Sequence, residues 1–257
     1  MSERWSERYE LFGAWCAPIF TLLTAIGFLG LSHMYDPAAA HLSPVELSAF
    51  YADRHVAVEV GMSLLCVGTA FLAIFSVQLG IELWRIEGRS ILMSASQALG
   101  GFGVVMLIFI SCCLWIGAAY RAGNADPDVT VALNDAAWFG FLVGWVMLAL
   151  QMATTAAITL HDKRADPLVP RWFSWAAAVG AVLLVTANGC AVTKTGPFAW
   201  DGVLGYYLPM AIWGTWLDGH AVLVRRAVRA RHAAAVTVSD AASSATDEPR
   251  VAAHAGL

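Results

Sequence analysis

The sequence predicts an all-α bundle of six membrane-spanning helices. Of its 257 residues, 59% are hydrophobic and only 13% are charged, whereas a soluble domain carries about 25% charged residues. The charges cluster between long apolar runs, and a run of about 20 residues is enough to cross the hydrocarbon of a bilayer. The predicted spans lie near residues 11–32, 56–83, 91–119, 136–159, 172–193 and 203–224.

The segments outside the spans are also predicted. The apolar run of the first span is longer than the roughly 7–15 residues of a signal-peptide core, which favours a retained span over a cleaved leader. Between the first two spans, Ser43, Pro44 and Glu46 form the pattern of a capping box that opens a short amphipathic helix outside the membrane. Residues 1–225 form the bundle, and residues 226–257 are predicted to be a basic and then disordered cytoplasmic tail.

Basic residues predict the orientation. Eleven lysines and arginines lie on one side of the predicted spans and three, Arg54, Arg121 and Lys194, on the other. Loops rich in Lys and Arg stay in the cytoplasm, so both termini are expected there, in the cytoplasmic (inner) membrane. There is no basic face of the kind that binds nucleic acid. Membrane lipids are therefore the expected partners, and the oligomeric state is left open.

Small and aromatic residues predict how the bundle packs. Gly140 and Gly144 form a GxxxG pair, and the third span carries Gly100, Gly101 and Gly103. Because small residues mark helix contacts in lipid, these are predicted to be packing seams within the bundle rather than an oligomer interface. Four tryptophans at segment ends are expected to form an aromatic belt: Trp84, Trp138, Trp172 and Trp200.

Four polar side chains inside the spans fall at similar depth: Gln78, Gln97, Gln151 and Asp218. At about 1.5 Å per residue, each lies roughly 10–15 Å from the cytoplasmic end of a different helix. Polar groups at membrane depth usually face the interior, so the four are candidate ligand-binding residues in one layer. Asp218 is then expected to face the bundle centre and to bond a glutamine or a backbone carbonyl. Alternatively, each amide bonds locally and only joins helices.

Asp218 is followed by a second polar residue, His220, within the segment GTWLDGHAV. Residues two apart on a helix point about 200° apart, so these two are not a pair. The small and polar face of Asp218 also carries Tyr207, Ala211, Gly214 and Thr215. His220 shares the other face with Trp213 and Trp216, which is expected to meet lipid or the inner interface.

A second group of candidates lies toward the opposite side of the membrane. Its polar members are Glu59, Arg121, Asn134, Asp135, Lys194 and Asp201, and the aromatic residues Tyr120, Trp200, Tyr206 and Tyr207 lie close in depth. The ligand-binding candidates among them are Arg121, Asp135, Lys194, Trp200, Asp201 and Tyr207. Charges from several loops in one layer would form a polar pocket above an aromatic cavity. The alternative is a solvated rim whose salt bridges are each worth little.

No cofactor or metal is expected. The five cysteines lie in apolar runs without the spacing of a zinc site, and two histidines at matched depth, as a haem needs, are missing. There is also no P-loop, GxSxG or HExxH motif.

The segments YELFGAWCAP, ELWRIEGR, LNDAAWFGF and KTGPFAWDG resemble a family of uncharacterised multi-pass membrane proteins of actinobacteria. The similarity covers residues 9 to about 225 and implies membrane placement, with no activity attached.

The sequence favours a protein that binds or moves a small lipophilic molecule within its helices. A second hypothesis is a membrane-embedded cyclase or isomerase acting on a lipid or terpenoid. In that case a buried carboxyl, Asp218 or Glu59, would be the general acid. A third is a non-catalytic subunit of a membrane complex.

Overall fold

The computed structural model describes the backbone of residues 3–254 and the side chains of residues 6–237. This part of the chain is helical and contains no β-strand, which confirms the predicted all-α class. The helices are α1 (Glu3–Thr24), α2 (Pro44–Ala52), α3 (His55–Glu87), α4 (Leu92–Arg121), α5 (Pro127–Val143), α6 (Val146–Leu160), α7 (Arg171–Leu184) and α8 (Leu208–His254). α1 continues as a π-helix over Ala25–Leu31, α7 continues as a 3-10 helix over Val185–Ala191, and a π-helix over Val203–Tyr207 leads into α8.

Five stretches are long and apolar enough to cross a membrane, which indicates a membrane protein. They are Ser6–Leu31, His55–Glu87, Leu92–Arg121, Pro127–Leu160 and Arg171–Ala191. The sixth predicted span falls largely within α8, which is not among the five. Its apolar run is interrupted by Asp218 and His220 and ends at Arg225, and these residues lower its mean hydropathy.

The bundle is built around α3 and α4. α3 packs against α1 and α4, α4 also contacts α5 and α6, α7 lies on α6, and α8 packs mainly against α1. The GxxxG pair, Gly140 and Gly144, faces α4: a Cβ at Gly144 would lie 2.5 Å from the Leu107 side chain, and one at Gly140 would lie 3.0 Å from the Ser111 hydroxyl. A Cβ at Gly100 would lie 2.9 Å from the Met147 carbonyl oxygen, and one at Gly103 would lie 2.9 Å from its side chain. The predicted packing seam on α4 is therefore confirmed.

The capping box before α2 is confirmed. The Glu46 carboxylate accepts hydrogen bonds from the backbone N–H and the hydroxyl of Ser43 at 2.9 and 2.7 Å. These bonds lower the pKa of Glu46 below its usual value. The helix is then fixed to α5, because Tyr51 is buried and its hydroxyl donates to the Asn134 side chain at 2.7 Å.

Aromatic rings fill the core between α1, α4 and α5. Trp115 and Trp138 are buried and meet edge to face, with ring centroids 5.0 Å apart. Trp200 is also buried, because it stacks on Trp138 at 6.0 Å and donates from its indole N–H to the Ala38 carbonyl. The belt prediction is therefore wrong for Trp138 and Trp200. Trp84 and Trp172 are 51% and 72% exposed, as a belt position requires.

The predicted tail does not begin as a separate segment. α8 runs on to His254, and Arg231 and His232 bond Glu10 of α1. Residues 233–235 are three alanines, and alanine has the highest helix propensity. Residues 255–257 of the predicted tail lie outside the described residues.

Candidate ligand-binding groove

An apolar groove of about 380 Å³ lies between α1 and α8. Its lining includes Phe20, Thr21, Tyr206, Tyr207, Trp213 and Gly214. The space exists because α8 presents Gly214 and Ala211 where α1 presents Thr21 and Ala25. A Cβ at Gly214 would meet nothing within 4 Å, so the helices do not close on each other here.

π-Helical segments of both helices contribute to the groove. Ala25 and Leu29 come from the π-helix that ends α1, and Tyr206 and Tyr207 come from the π-helix that precedes α8. A π-helix is wider than an α-helix and occurs frequently at functional sites. Tyr35 and Tyr207 are 56% and 41% exposed at the rim, so the groove opens to the outside of the bundle.

Four hydroxyl groups of the lining donate their hydrogens to the protein itself. Tyr206 donates to the Met34 carbonyl, and Tyr207 donates to the Tyr35 carbonyl at 3.1 Å. Thr24 donates to the Phe20 carbonyl at 2.9 Å, and Thr21 donates to the Asp218 carboxylate at 3.1 Å. A hydroxyl has one hydrogen to donate and two lone pairs that accept. These four oxygens can therefore bond a further group only as acceptors.

Asp218 differs from the predicted position and partner. It is half-buried against α1, where it bonds Thr21, and it bonds none of the three glutamines. The residues of its face, such as Tyr207 and Thr215, are also exposed rather than central. The reason is that the aromatic face of α8 fills the core better: Trp213 and Trp216 are 4% and 2% exposed.

His220 is correspondingly buried, so the prediction that it meets lipid or the inner interface is wrong. Its ring lies between the rings of Phe173 and Trp216, with centroids 5.0 and 4.7 Å away. Its Nδ1 bonds the Trp216 carbonyl at 2.7 Å.

The glutamines are buried, and none of them bonds Asp218. Gln78 donates to Glu82 at 3.2 Å, and Gln151 donates to Ser76 at 3.3 Å. Neither polar atom of the Gln97 amide has a partner among the described residues. Gln78 therefore bonds within α3, and Gln151 joins α6 to α3, as the alternative of amides that only join helices allows.

The residues predicted to form a polar pocket on the opposite side of the membrane also lie in separate places. The Lys194 ammonium attracts the Asp135 carboxylate, but the two form no ion pair within 4.0 Å. Arg121 is exposed above the Tyr120 ring at 5.5 Å, and Trp200 is in the core. One side-chain oxygen of Asp201 is buried without a partner in the described part of the chain. Of the predicted outer residues, Tyr206 and Tyr207 line the groove, and the others line none of the five cavities described.

The two candidate general acids do not reach a cavity. Asp218 stands behind Thr21 and contributes to none of the five cavity linings, and the same holds for the half-exposed Glu59. Among the described residues no three His, Cys, Asp or Glu side chains cluster as a metal site.

An ionic cluster that the sequence treated only as a topology signal joins α1, α3 and α8. Arg231 bonds Glu10 at 2.5 Å and Glu82 at 2.9 Å, and Arg85 bonds the same two carboxylates at 2.8 and 2.5 Å. The Glu82 side chain is only 4% exposed. Burial would lower the pKa of Arg231, but its bonds to the two glutamates raise it above the usual value. We call Glu10, Glu82, Arg85, Arg231 and His232 the ionic cluster.

Sequence reasoning missed Thr21 and Thr24 of the groove. The available signal was their spacing of three residues, which places two hydroxyls on one face of an apolar helix. Phe20, Tyr35 and Trp213 carried no such signal, because isolated aromatic residues in a span have no distinguishing pattern.

No family model, curated protein or solved structure matches this chain.

Proposed function

We propose that this membrane protein binds a small lipophilic molecule in the groove between α1 and α8. The observation that carries the proposal is an apolar cavity of about 380 Å³ lined by five residues with hydroxyl groups, four of which donate their hydrogens within the protein. Cavities of about 300–1,000 Å³ that combine apolar walls with a few placed polar groups are typical of small-molecule sites. The exposed rim at Tyr35 and Tyr207 would let the molecule enter from the bilayer or leave into it.

The acceptor oxygens select the polar end of the ligand. Phe20, Met210 and Trp213 offer contacts for an apolar body. Thr21 can only accept, since its hydrogen is bonded to Asp218, and the hydroxyls of Tyr206 and Tyr207 are fixed in the same way by backbone carbonyls. A ligand with a hydroxyl or amino group satisfies these oxygens, whereas an ether or ketone leaves them unpaired. A site built for a hydroxyl rejects the analogue that lacks it.

The proposed topology has six spans in the cytoplasmic (inner) membrane. α8 crosses as the sixth span, and both termini lie in the cytoplasm. The support is the distribution of eleven basic residues against three. Helix α2 then lies outside the membrane on the opposite side. A reporter enzyme that is active only in the periplasm should be inactive when it is fused after Leu257. Activity of this fusion would contradict the proposed orientation and would leave the proposal about the groove unchanged.

Ligand selectivity tests the function. We expect the purified protein in nanodiscs to bind 1-dodecanol about tenfold more tightly than dodecyl methyl ether, the effect of one hydrogen bond of about 1.4 kcal/mol. The Thr21→Val variant should lose this preference, because it keeps the shape and removes the acceptor. Thr159→Val is the matched control, since Thr159 is buried, lies outside the groove and bonds only backbone carbonyls. Equal affinities for alcohol and ether in the parent protein would contradict the proposal.

A further inference from the structure

A second cavity, of about 520 Å³, lies at the charged end of the bundle between α3, α8 and the loop that joins α6 to α7. Four arginines line it: Arg85, Arg164, Arg226 and Arg231. Two carboxylates, Glu82 and Asp166, share the lining, so arginines outnumber acids by two. We call this the arginine cavity.

Acidic residues outside the cavity hold three of the arginines in place. Glu10 bonds both Arg85 and Arg231 and does not belong to the lining. Asp162, also outside the lining, receives the Arg164 side chain at 2.9, 3.1 and 2.7 Å. The bonds from Arg164 outweigh burial and lower the pKa of Asp162, so this carboxylate is ionised at neutral pH. The guanidinium groups are therefore positioned before any ligand arrives.

Arg226 is the arginine of this cavity whose positive charge is not paired with an acidic side chain in the described part of the chain. It is exposed and forms no ion pair or hydrogen bond with the side chains described, although it lines the same cavity as the three fixed arginines. A guanidinium carries five N–H donors, and its fork matches two oxygens of a phosphate. The unpaired charge and the spare donors fit an anion with several oxygens.

The depth and the apolar part of the lining favour a lipid as the source of that anion. Glu82 and Arg85 lie in the last two turns of the apolar stretch His55–Glu87, which is where a helix reaches the headgroup region. Leu168 and Leu223 line the cavity beside the arginines and can contact the start of an acyl chain. Basic pockets between membrane helices at this level bind phosphate headgroups of anionic lipids.

We propose that the arginine cavity binds the phosphate headgroup of an anionic phospholipid from the surrounding leaflet. The inference rests on the membrane placement and is independent of the groove between α1 and α8. Lipid bound here contacts α3, α8 and the α6–α7 loop together, and so ties α8 to the rest of the bundle at its charged end.

Titration of the intact protein with dioleoyl phosphatidylglycerol, followed by native mass spectrometry, tests the proposal. The control titrations use dioleoyl phosphatidylcholine and inorganic phosphate. We expect saturable binding of one phosphatidylglycerol and at least about tenfold weaker binding of phosphatidylcholine, since the net negative charge of the first is what the unpaired Arg226 attracts. If inorganic phosphate displaces phosphatidylglycerol and binds as tightly, the ligand is a soluble phosphate and the assignment to a lipid is overturned.

A pair of arginine variants separates a built site from general attraction. Arg226→Gln should weaken phosphatidylglycerol binding about tenfold, as expected for the loss of one charge-assisted bond. Arg229→Gln removes the same charge one turn along α8, from an exposed residue outside the cavity lining, and should leave binding nearly unchanged. Both residues are exposed, so neither change threatens the fold. Equal weakening in the two variants would show non-specific attraction and overturn the proposal.

Discussion

Helices α1 and α8 meet in two regions that are held in opposite ways. At the ionic cluster, Arg231 bonds Glu10 of α1 and Glu82 of α3, and Arg225 lies 4.3 Å over the Trp15 ring. Thirteen residues earlier, about 20 Å along the helix, the Thr21–Asp218 hydrogen bond of 3.1 Å joins the pair beside an unfilled groove. One region is closed by charge and the other is left open.

The difference explains how the groove can persist. Helices in lipid gain little from the hydrophobic effect and depend on close packing and polar bonds. Packing at the groove is incomplete, since a Cβ at Gly214 would meet nothing within 4 Å. The ionic cluster supplies the missing attachment, because its partly buried charges are shared among three helices. The account therefore predicts that stability depends on the cluster and ligand binding on the groove.

The largest expected effect on stability comes from breaking the cluster. Arg231→Gln leaves Glu10 and the buried Glu82 with Arg85 as their shared arginine. Removing one partner of a fully buried pair costs about 3–5 kcal/mol, and the partial exposure of Arg231 reduces the expected loss to about 2 kcal/mol. Thermal unfolding in detergent measures it, with the exposed Arg229→Gln as the control. Equal unfolding midpoints for the two variants would mean that the cluster does not hold the bundle.

Two adjacent tyrosines of the groove should differ in their contribution to stability. Tyr206 is 1% exposed, so Tyr206→Phe leaves the Met34 carbonyl without its donor and should cost about 1–2 kcal/mol. Tyr207 is 41% exposed, and water or lipid headgroups can replace its bond to Tyr35, so Tyr207→Phe should cost less than about 0.5 kcal/mol. Unfolding of the two variants under the same conditions is the test. A larger loss for Tyr207→Phe would contradict the burial of Tyr206.

A smaller effect, of opposite sign, is expected outside both regions. Gln97 is fully buried, and its amide has no partner among the described residues. An unpaired buried polar group costs about 1–3 kcal/mol, so Gln97→Met, which is similar in size, should stabilise the protein by about 1 kcal/mol. Gln151→Met should not, because Gln151 donates to Ser76. Destabilisation by Gln97→Met would indicate a bonded or liganded amide and would restore its predicted role in a polar layer.

Much of the fold could be predicted from the sequence, because hydropathy and capping are local properties. The spans of α3 and α4, and the capping box of Ser43 and Glu46, needed no knowledge of neighbouring helices. The face of α8 that enters the core could not be predicted in this way. Spacing correctly separated Asp218 from His220, but which face is buried depends on what α1 and α7 present. Phe20 of α1 packs against Trp213, and Phe173 of α7 packs against His220. These contacts determine which face of α8 is buried.

For the candidate site, the sequence could predict only which polar residues lie inside a membrane-spanning helix. Tyr207 lines the groove and Asp218 stands behind it, bonded to Thr21 of the lining. The sequence pointed to both Tyr207 and Asp218 as polar residues at membrane depth. Equal depth does not imply a shared hydrogen bond, however, and the glutamines of α3, α4 and α6 bond other residues or have no partner among the described residues. The role of Glu10 and Arg231 was also hidden, because 221 residues separate them in the chain.

Filling the groove tests the central claim most directly. Gly214→Leu places a side chain in open space, and Ala178→Leu adds comparable bulk to a different cavity, between α6 and α7. Lipophilic compounds that co-purify with each protein are extracted and quantified by mass spectrometry. We expect the parent protein and Ala178→Leu to retain one hydroxyl- or amino-bearing lipophile in near-stoichiometric amount, and Gly214→Leu to lose it. Equal retention by both variants would contradict a binding site between α1 and α8.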